Sequence, residues 1–305
     1  MTLTADVFSS ATQEFKTVGD FFRFAITTLA TEKVFLGHGT DDLQDEAWWL
    51  VAGALSLPLH MSPKLFLSAR LTPTEKRHLV HLIYRRGVEK MPTAYLLKQA
   101  YQNGQPFYVD ERVLIPRSPI AELIDHHFEP WLSHPESIER ILDLCTGSGC
   151  LAILSALAFP DAKVDALELS EGALAVAERN IAEYGLQDQV RLLPSDVFSG
   201  LQNEQYDVVI SNPPYVDAAD LRSMPAEFHH EPRMALAAGE DGLEIVCKIL
   251  KEARAYLKPE GLLIVEVGNG RAALEAAFPT LPFIWLDFER GGEGVFLLKR
   301  EDLPA

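Results

Sequence analysis

The sequence predicts an α/β protein: a mostly parallel sheet wrapped by helices, preceded by a small helical region and a β-hairpin linker. Three observations carry this. From Arg140 onward, short apolar runs alternate with helical segments, the pattern of successive βαβ units. Residues 1 to about 95 show helical spacing and helix-start signals but no strand-like run. A glycine-bearing turn, Asp143-Leu144-Cys145-Thr146-Gly147-Ser148-Gly149, joins the first strand of the alternating region to its first helix. The 305 residues suit about two domains at roughly 150 residues each. We read a helical domain over 1–95, a hairpin linker over 96–117 and an α/β domain over 118–305.

The elements follow in order. Phe21, Phe22, Ala25 and Leu29 recur on one helical face. Asp41-Asp42 opens a second helical segment carrying Trp48, Trp49, Val51 and Leu55, punctuated by Pro58 and Pro63. Thr72-Pro73-Thr74-Glu75 combines a Thr N-cap, proline at the first helical position and a glutamate reaching back, and Leu79, Leu82 and Ile83 carry that helix inward. This region shows no catalytic constellation and suits docking or a lid. In the linker, Phe107, Val109, Val113 and Ile115 lie in extended runs around Asp110-Glu111-Arg112, a hairpin pattern. Ser118-Pro119 caps a helix reaching about Trp131. Strands follow at ILDLC, VDALELS, VRLLPSD, YDVVIS and LLIVEVG, with helices between them; Asp241-Gly242-Leu243-Glu244 offers a capping box for the one running through Leu257. FIWLDFER and GVFLLKR flank Gly291-Gly292-Glu293-Gly294 and read as an antiparallel pair.

Four stretches carry chemistry. Glycines in the 143–149 turn let backbone approach a ligand. Glu168 ends the next strand, 19 residues beyond Gly149, near the roughly 20 expected of a carboxylate that grips ribose hydroxyls. Asp196 follows the third strand and can accept from an adenine amine, while Val197 offers an apolar ring contact. Ser211-Asn212-Pro213-Pro214-Tyr215 closes YDVVIS and suits methylation of a planar nitrogen. Such a nitrogen is a poor nucleophile because its lone pair is delocalised, so it must be held in line with the methyl carbon. The Asn212 side-chain oxygen and the Pro213 carbonyl can accept its two N–H bonds and favour positive charge on nitrogen. The prolines stiffen those positions, and Tyr215 can stack on the flat group.

With these motifs in view, residues 140–300 resemble the class I S-adenosylmethionine-dependent methyltransferases. The resemblance implies a Rossmann-like seven-stranded sheet whose last strand is antiparallel. It implies S-adenosyl-L-methionine as cofactor, S-adenosyl-L-homocysteine as product and no metal. Its methionine moiety would touch Asp143, Cys145, Thr146, Gly147, Ser148 and Gly149; its ribose Glu168; its adenine Asp196 and Val197. The target nitrogen would meet Asn212, Pro213, Pro214 and Tyr215, with Asn212 also facing the transferred methyl. Cys145 stands where the family usually has its first glycine, of small consequence if that backbone angle is ordinary. The N-P-P-Y motif serves two branches, one acting on the adenine amine of nucleic acid, the other on the side-chain amide of protein glutamine. The helical region and linker, with Pro92-Thr93-Ala94-Tyr95-Leu96 and Val113-Leu114-Ile115-Pro116-Arg117, resemble the second branch, making 1–95 a substrate-recognition domain. Within it the known substrates are peptide-chain release factors and the large-subunit ribosomal protein L-three. The run Ile115-Pro116-Arg117-Ser118-Pro119-Ile120 departs from the Pro-Glu-Thr-Glu continuation of the release-factor enzymes and, with 107–112, is similar to the ribosomal-protein branch. The segment Phe228-His229-His230-Glu231-Pro232 fits the family's mobile substrate loop, its histidines an exposed pair without acid or base duty.

Charge bears on the partner. The chain carries a net −17, with +1 over 1–120 and −18 over 121–305. So acidic a half repels a nucleic-acid backbone, disfavouring direct DNA binding, and attracts a basic protein such as a ribosomal protein, free or within a ribosome precursor. No run reaches the roughly 18 apolar residues of a membrane helix, and MTLTADVFSS has no secretory pattern. Three cysteines without zinc-site spacing suit a reducing, cytoplasmic setting.

Overall fold

The computed structural model describes residues 5–132 and 134–304. The chain forms two units: Met1–Ala100 with Pro225–His230, and Tyr101–Met224 with Glu231–Ala305. The first contains helices α1 (Ala5–Glu14), α2 (Val18–Thr31), α3 (Leu43–Ala54), α4 (Pro73–Gly87) and α5 (Thr93–Leu97). Their starts are written in the side chains. Asp42 accepts the N–H groups of Gln44 and Asp45 at the head of α3. The α4 capping box forms as predicted: Glu75 accepts the Thr72 N–H at 2.7 Å and Thr72 accepts that of Glu75 at 3.3 Å. A cap of this kind contributes about 1 kcal/mol. Phe21, Leu29, Trp48, Val51, Leu79 and Ile83 fill the core. Phe24 and Thr28 share the buried face of α2, whereas Phe22 is half-buried and meets Trp48 edge-on.

The hairpin is formed by β1 (Ala100–Gln102), whose first residue closes the first unit's sequence, and β2 (Gln105–Phe107) of the second. It lies ahead of the predicted place. Asn103 and Gly104 both take positive φ, +48° and +73°, the geometry that two-residue hairpin turns need. At 110–112 no strands pair; Asp110 instead gathers the Arg112 N–H, the Arg112 guanidinium and the Tyr108 hydroxyl. Helix α6 (Ile120–Asp125) is shorter than predicted. His127 and Phe128 turn left-handed, and the Phe128 N–H donates to the Leu123 carbonyl at 2.7 Å. That turn buries Phe128 flat against Phe159, a packing gain outweighing further helix.

The elements β3 (Arg140–Leu144), α7 (Cys150–Ala158), β4 (Lys163–Glu168), α8 (Glu171–Glu183), β5 (Val190–Pro194), β6 (Tyr206–Ser211), α9 (Ala218–Ser223), α10 (Glu244–Tyr256), β7 (Leu257–Glu266), α11 (Arg271–Ala277), β8 (Ile284–Trp285) and β9 (Val295–Lys299) follow in chain order. The seven-stranded sheet has the order β5-β4-β3-β6-β7-β9-β8. The first five strands run parallel, and β9 is antiparallel to both neighbours, as expected from the glycine turn before it. Alternate residues serve opposite faces. Ile141, Val208, Ile210 and Ile264 pack with α6, α7 and α8, whereas Leu142, Val209, Leu263 and Val265 pack with α10 and α11. Burial on both faces explains why these strands read as near-continuous apolar runs, interrupted in β3 by Asp143. The 241–244 capping box does not form: Asp241 accepts the Leu243 N–H at 3.0 Å in a local turn, and α10 starts without a side-chain cap. Helix α9, unpredicted, is capped by Asp217. The chain reverses its direction of sheet growth between β3 and β6, which opens a crevice at their C-terminal ends.

Candidate functional site

That crevice is a cavity of about 270 Å³ in the second unit. Of the sequence-predicted residues, Asp143, Cys145, Thr146, Gly147 and Ser148 line it together, from the β3–α7 turn. Glu168 reaches it from β4, Asp196 and Val197 from the end of β5, and Asn212 and Pro214 from the end of β6. Gly149, Pro213 and Tyr215 do not line it.

The β3–α7 turn is organised by two carboxylates. Asp143 is buried, and its Oδ2 accepts the Thr146 hydroxyl at 2.5 Å and the Ala152 N–H at 3.1 Å, while Oδ1 has no partner. Glu168 accepts the Gly147 N–H on one oxygen and those of Leu169 and Ser170 on the other, each at 2.9 Å. Glu168 thus shapes the turn beside it while facing the cavity. Gly149 takes φ +80°, and a Cβ there would stand 3.3 Å from that of Ala177. Its glycine character serves the packing of α7 on α8, outside the cavity lining.

Cys145 has φ +58°, so its backbone angle is not ordinary. A non-glycine residue there sits in a sparsely allowed region, costing about 1 kcal/mol or more. Val197, β-branched, is also left-handed at φ +51°. The Ser195 hydroxyl donates to the Val197 carbonyl at 2.6 Å and accepts the Gly200 N–H at 2.8 Å, pinning that turn. Two strained residues facing one cavity mark a site whose shape is held at a cost. Asp196 is half-exposed, 3.4 Å from the Lys248 ammonium.

Burial pushes the Asp143 carboxyl up to about 7, the Thr146 and Ala152 donors countering only part of it. Below about pH 4 both folded and unfolded states hold the proton and the buried group costs nothing. From there to about 7 the unfolded carboxyl ionises while the folded one resists, so stability falls with rising pH and levels off above 7. Asp143→Asn should therefore gain stability over the parent, by on the order of 1–3 kcal/mol, between pH 4 and 8. Urea titrations at both pH values check this; a gap that does not widen with pH would refute it.

Asn212 directly follows β6, with a side-chain Oδ1 that is buried and unpartnered. Tyr215 takes its partners outside the cavity lining. Its hydroxyl donates to Glu266 at 2.8 Å and its ring packs on Gly268, so it braces the motif rather than walling the cavity. Glu266 also accepts the Ser118 hydroxyl at 2.6 Å, and burial raises its pKa. Arg117 forms a two-point pair with Glu231, at 2.6 and 2.9 Å. The sequence reading gave these groups no role, although a carboxylate inside LLIVEVG is a signal of one. The 228–232 segment divides: Phe228, against Phe35 and His38, lies with the first unit, and Glu231 lies in the second. His229 is exposed, as expected, and His230 is half-buried on the Glu89 carbonyl.

The residues fit the cofactor expected of them. The cavity presents carboxylates of Asp143, Glu168 and Asp196 beside orphaned Asp143 and Asn212 oxygens, a donor-seeking wall suited to a cationic, hydroxyl-bearing ligand. Comparison with known proteins agrees. Residues 126–239 match the family model "Methyltransferase small domain". The ribosomal protein uL3 glutamine methyltransferase of Bordetella pertussis is 48% identical over 95% of this chain and 97% of its own. That of Neisseria meningitidis serogroup B is 48% identical over 97% of each. With identity this high along nearly the whole length, on a seven-stranded sheet with N-P-P-Y at its crevice, the chain belongs to the ribosomal protein uL3 glutamine methyltransferase family.

Proposed function

We propose that this enzyme methylates the side-chain amide nitrogen of a glutamine in ribosomal protein uL3, with S-adenosyl-L-methionine as donor. The observation that carries the reading is the buried, unpartnered Asn212 Oδ1 in the wall of the cavity shaped by Asp143 and Glu168. When bound, the cofactor supplies an electrophilic methyl group on sulfur. Residues 143–148 hold its methionine end, Glu168 its ribose, and Asp196 and Val197 its adenine. Asn212 Oδ1 in the cavity wall accepts one amide N–H bond, and the backbone carbonyl of Pro213, the residue between the lining residues Asn212 and Pro214, accepts the other. That fixes the amide plane, directs the nitrogen lone pair and favours positive charge as it builds. A glutamate side chain has no N–H to offer and would set oxygen against oxygen, so the site selects amide over acid. The net −18 of 121–305 favours a basic protein over a polyanion.

The test is parallel incubation with uL3 and with peptide-chain release factors, followed by peptide mass mapping. One added methyl on a uL3 glutamine is expected; methylation of release factors alone would overturn the substrate. Glu168→Ala should weaken S-adenosyl-L-homocysteine binding by about 1.5–3 kcal/mol, the range for hydrogen bonds to a charged group. Calorimetry giving parental affinity would remove Glu168 from the ribose site.

A further inference from the structure

Two pieces of chain help to complete the cavity beyond the strand ends, the linker segment 113–118 and the segment 231–237 after N-P-P-Y. Val113, Leu114 and Pro116 line it from the first, and Pro232, Met234 and Ala235 from the second. One buried carboxylate joins them. Glu231 accepts the Ile115 N–H at 3.0 Å and both Arg117 guanidinium nitrogens, and its side chain is fully buried. Both segments are also tied to the N-P-P-Y motif. The Val216 N–H donates to the Leu236 carbonyl at 2.8 Å and the Ala238 N–H to the Val216 carbonyl at 3.0 Å. Tyr215 and Ser118 share Glu266. The links close a ring: from Tyr215 through Glu266 to Ser118 and Arg117, across to Glu231, and along 232–236 back to Val216.

We infer that Glu231 and Arg117 are positioning residues: their pair closes this ring and sets the wall against which the target amide is held on Asn212. A two-point arginine–carboxylate pair fixes orientation as well as distance. With Glu231 fully buried and Arg117 partly so, it is screened less by solvent than a surface pair is. Neither residue needs to touch the reacting atoms. The ring holds the far wall, whereas the predicted cofactor contacts at 143–148 and Glu168 are organised by their own hydrogen bonds. Breaking the pair should therefore depress turnover more than cofactor affinity.

This inference rests on the proposed reaction, and a double-mutant cycle tests it. Arg117→Ala, Glu231→Ala and the double variant are compared with the parent for kcat on uL3 at saturating cofactor and for S-adenosyl-L-homocysteine affinity. Each single variant should lose at least tenfold in kcat, the double variant little more, and affinity should stay within threefold. Additive losses, or kcat and affinity falling together, would overturn it. Should an alanine variant fail to fold, Arg117→Lys and Glu231→Gln are read in the same way, and parental kcat in both would overturn it. Hydrogen exchange of 113–118 and 231–238 is independent of substrate. If the parent fails to methylate uL3, the proposed function fails. Faster exchange in both segments together when either partner is removed still supports the latch, and unchanged exchange overturns it.

Discussion

Asn212→Ala is expected to cut methyl transfer to uL3 by about 10²–10³-fold, the range for removing one preorganised polar group from a reacting centre. S-adenosyl-L-homocysteine affinity should stay near the parent value. The split follows from what Asn212 does and does not hold. Its Oδ1 has no protein partner, so truncation removes no internal bond through that atom. The backbone around it is fixed independently: the Ser211 hydroxyl donates to the Leu144 carbonyl at 2.9 Å, and Val209, Ile210 and Ser211 stay in register with β3 and β7. Removing a buried acceptor without a partner is neutral or mildly stabilising. The variant should thus melt at or slightly above the parent temperature while losing activity. Labelled methyl transfer, calorimetry and thermal melting on one preparation separate these effects. Activity within twofold of the parent would end the role assigned to Asn212; lost activity with lost stability would make it structural.

The legible parts of this protein were those that local chemistry dictates. The βαβ alternation appears because parallel strands buried on both faces must be largely apolar, as 208–210 and 262–265 are. The α4 start was readable because Thr72, Pro73 and Glu75 act within one turn. The cavity residues were readable because strand ends at the switch point converge whatever the distant sequence says. What escaped depends on partners far along the chain. Tyr215 reads as a stacking ring until Glu266, 51 residues on, takes its hydroxyl. Arg117 and Glu231 are 114 residues apart, and no local pattern links them. The α6 end and the 241–244 turn failed for another reason: a plausible helical signal lost to a competing contact, Phe128 on Phe159 in one case and Asp241 on its own loop in the other.

Arg86 is the sharpest such case, and its removal should have the largest effect on stability. In the sequence, Arg85-Arg86 is one of two adjacent basic pairs in the first 120 residues and reads as surface charge. In the fold, Arg86 is 1% exposed inside the helical unit. Its Nε donates to Glu46 at 2.5 Å, one Nη faces Glu227 at 3.5 Å, and the other donates to the Phe35 carbonyl at 2.9 Å. Thr40 and Thr93 also donate to Glu46, and the Phe35 N–H donates to Glu227. Arg86→Met leaves two buried carboxylates without their cation, which costs about 3–5 kcal/mol. Adding Glu46→Gln and Glu227→Gln to that variant should restore much of the loss. The amide at 46 accepts from one threonine hydroxyl through its oxygen and donates to the other through its nitrogen, and the amide at 227 still accepts the Phe35 N–H. Neither buries charge, and neutral replacement of buried ion clusters is often nearly neutral. Urea unfolding of the full chain, followed by tryptophan fluorescence with Trp48 and Trp49 in this unit's helices, measures both. If Arg86→Met lies within about 1 kcal/mol of the parent, the typical effect of an exposed pair, the cluster is solvated in solution. If the triple variant is no more stable than Arg86→Met alone, the loss comes from packing of the arginine stem rather than from stranded charge.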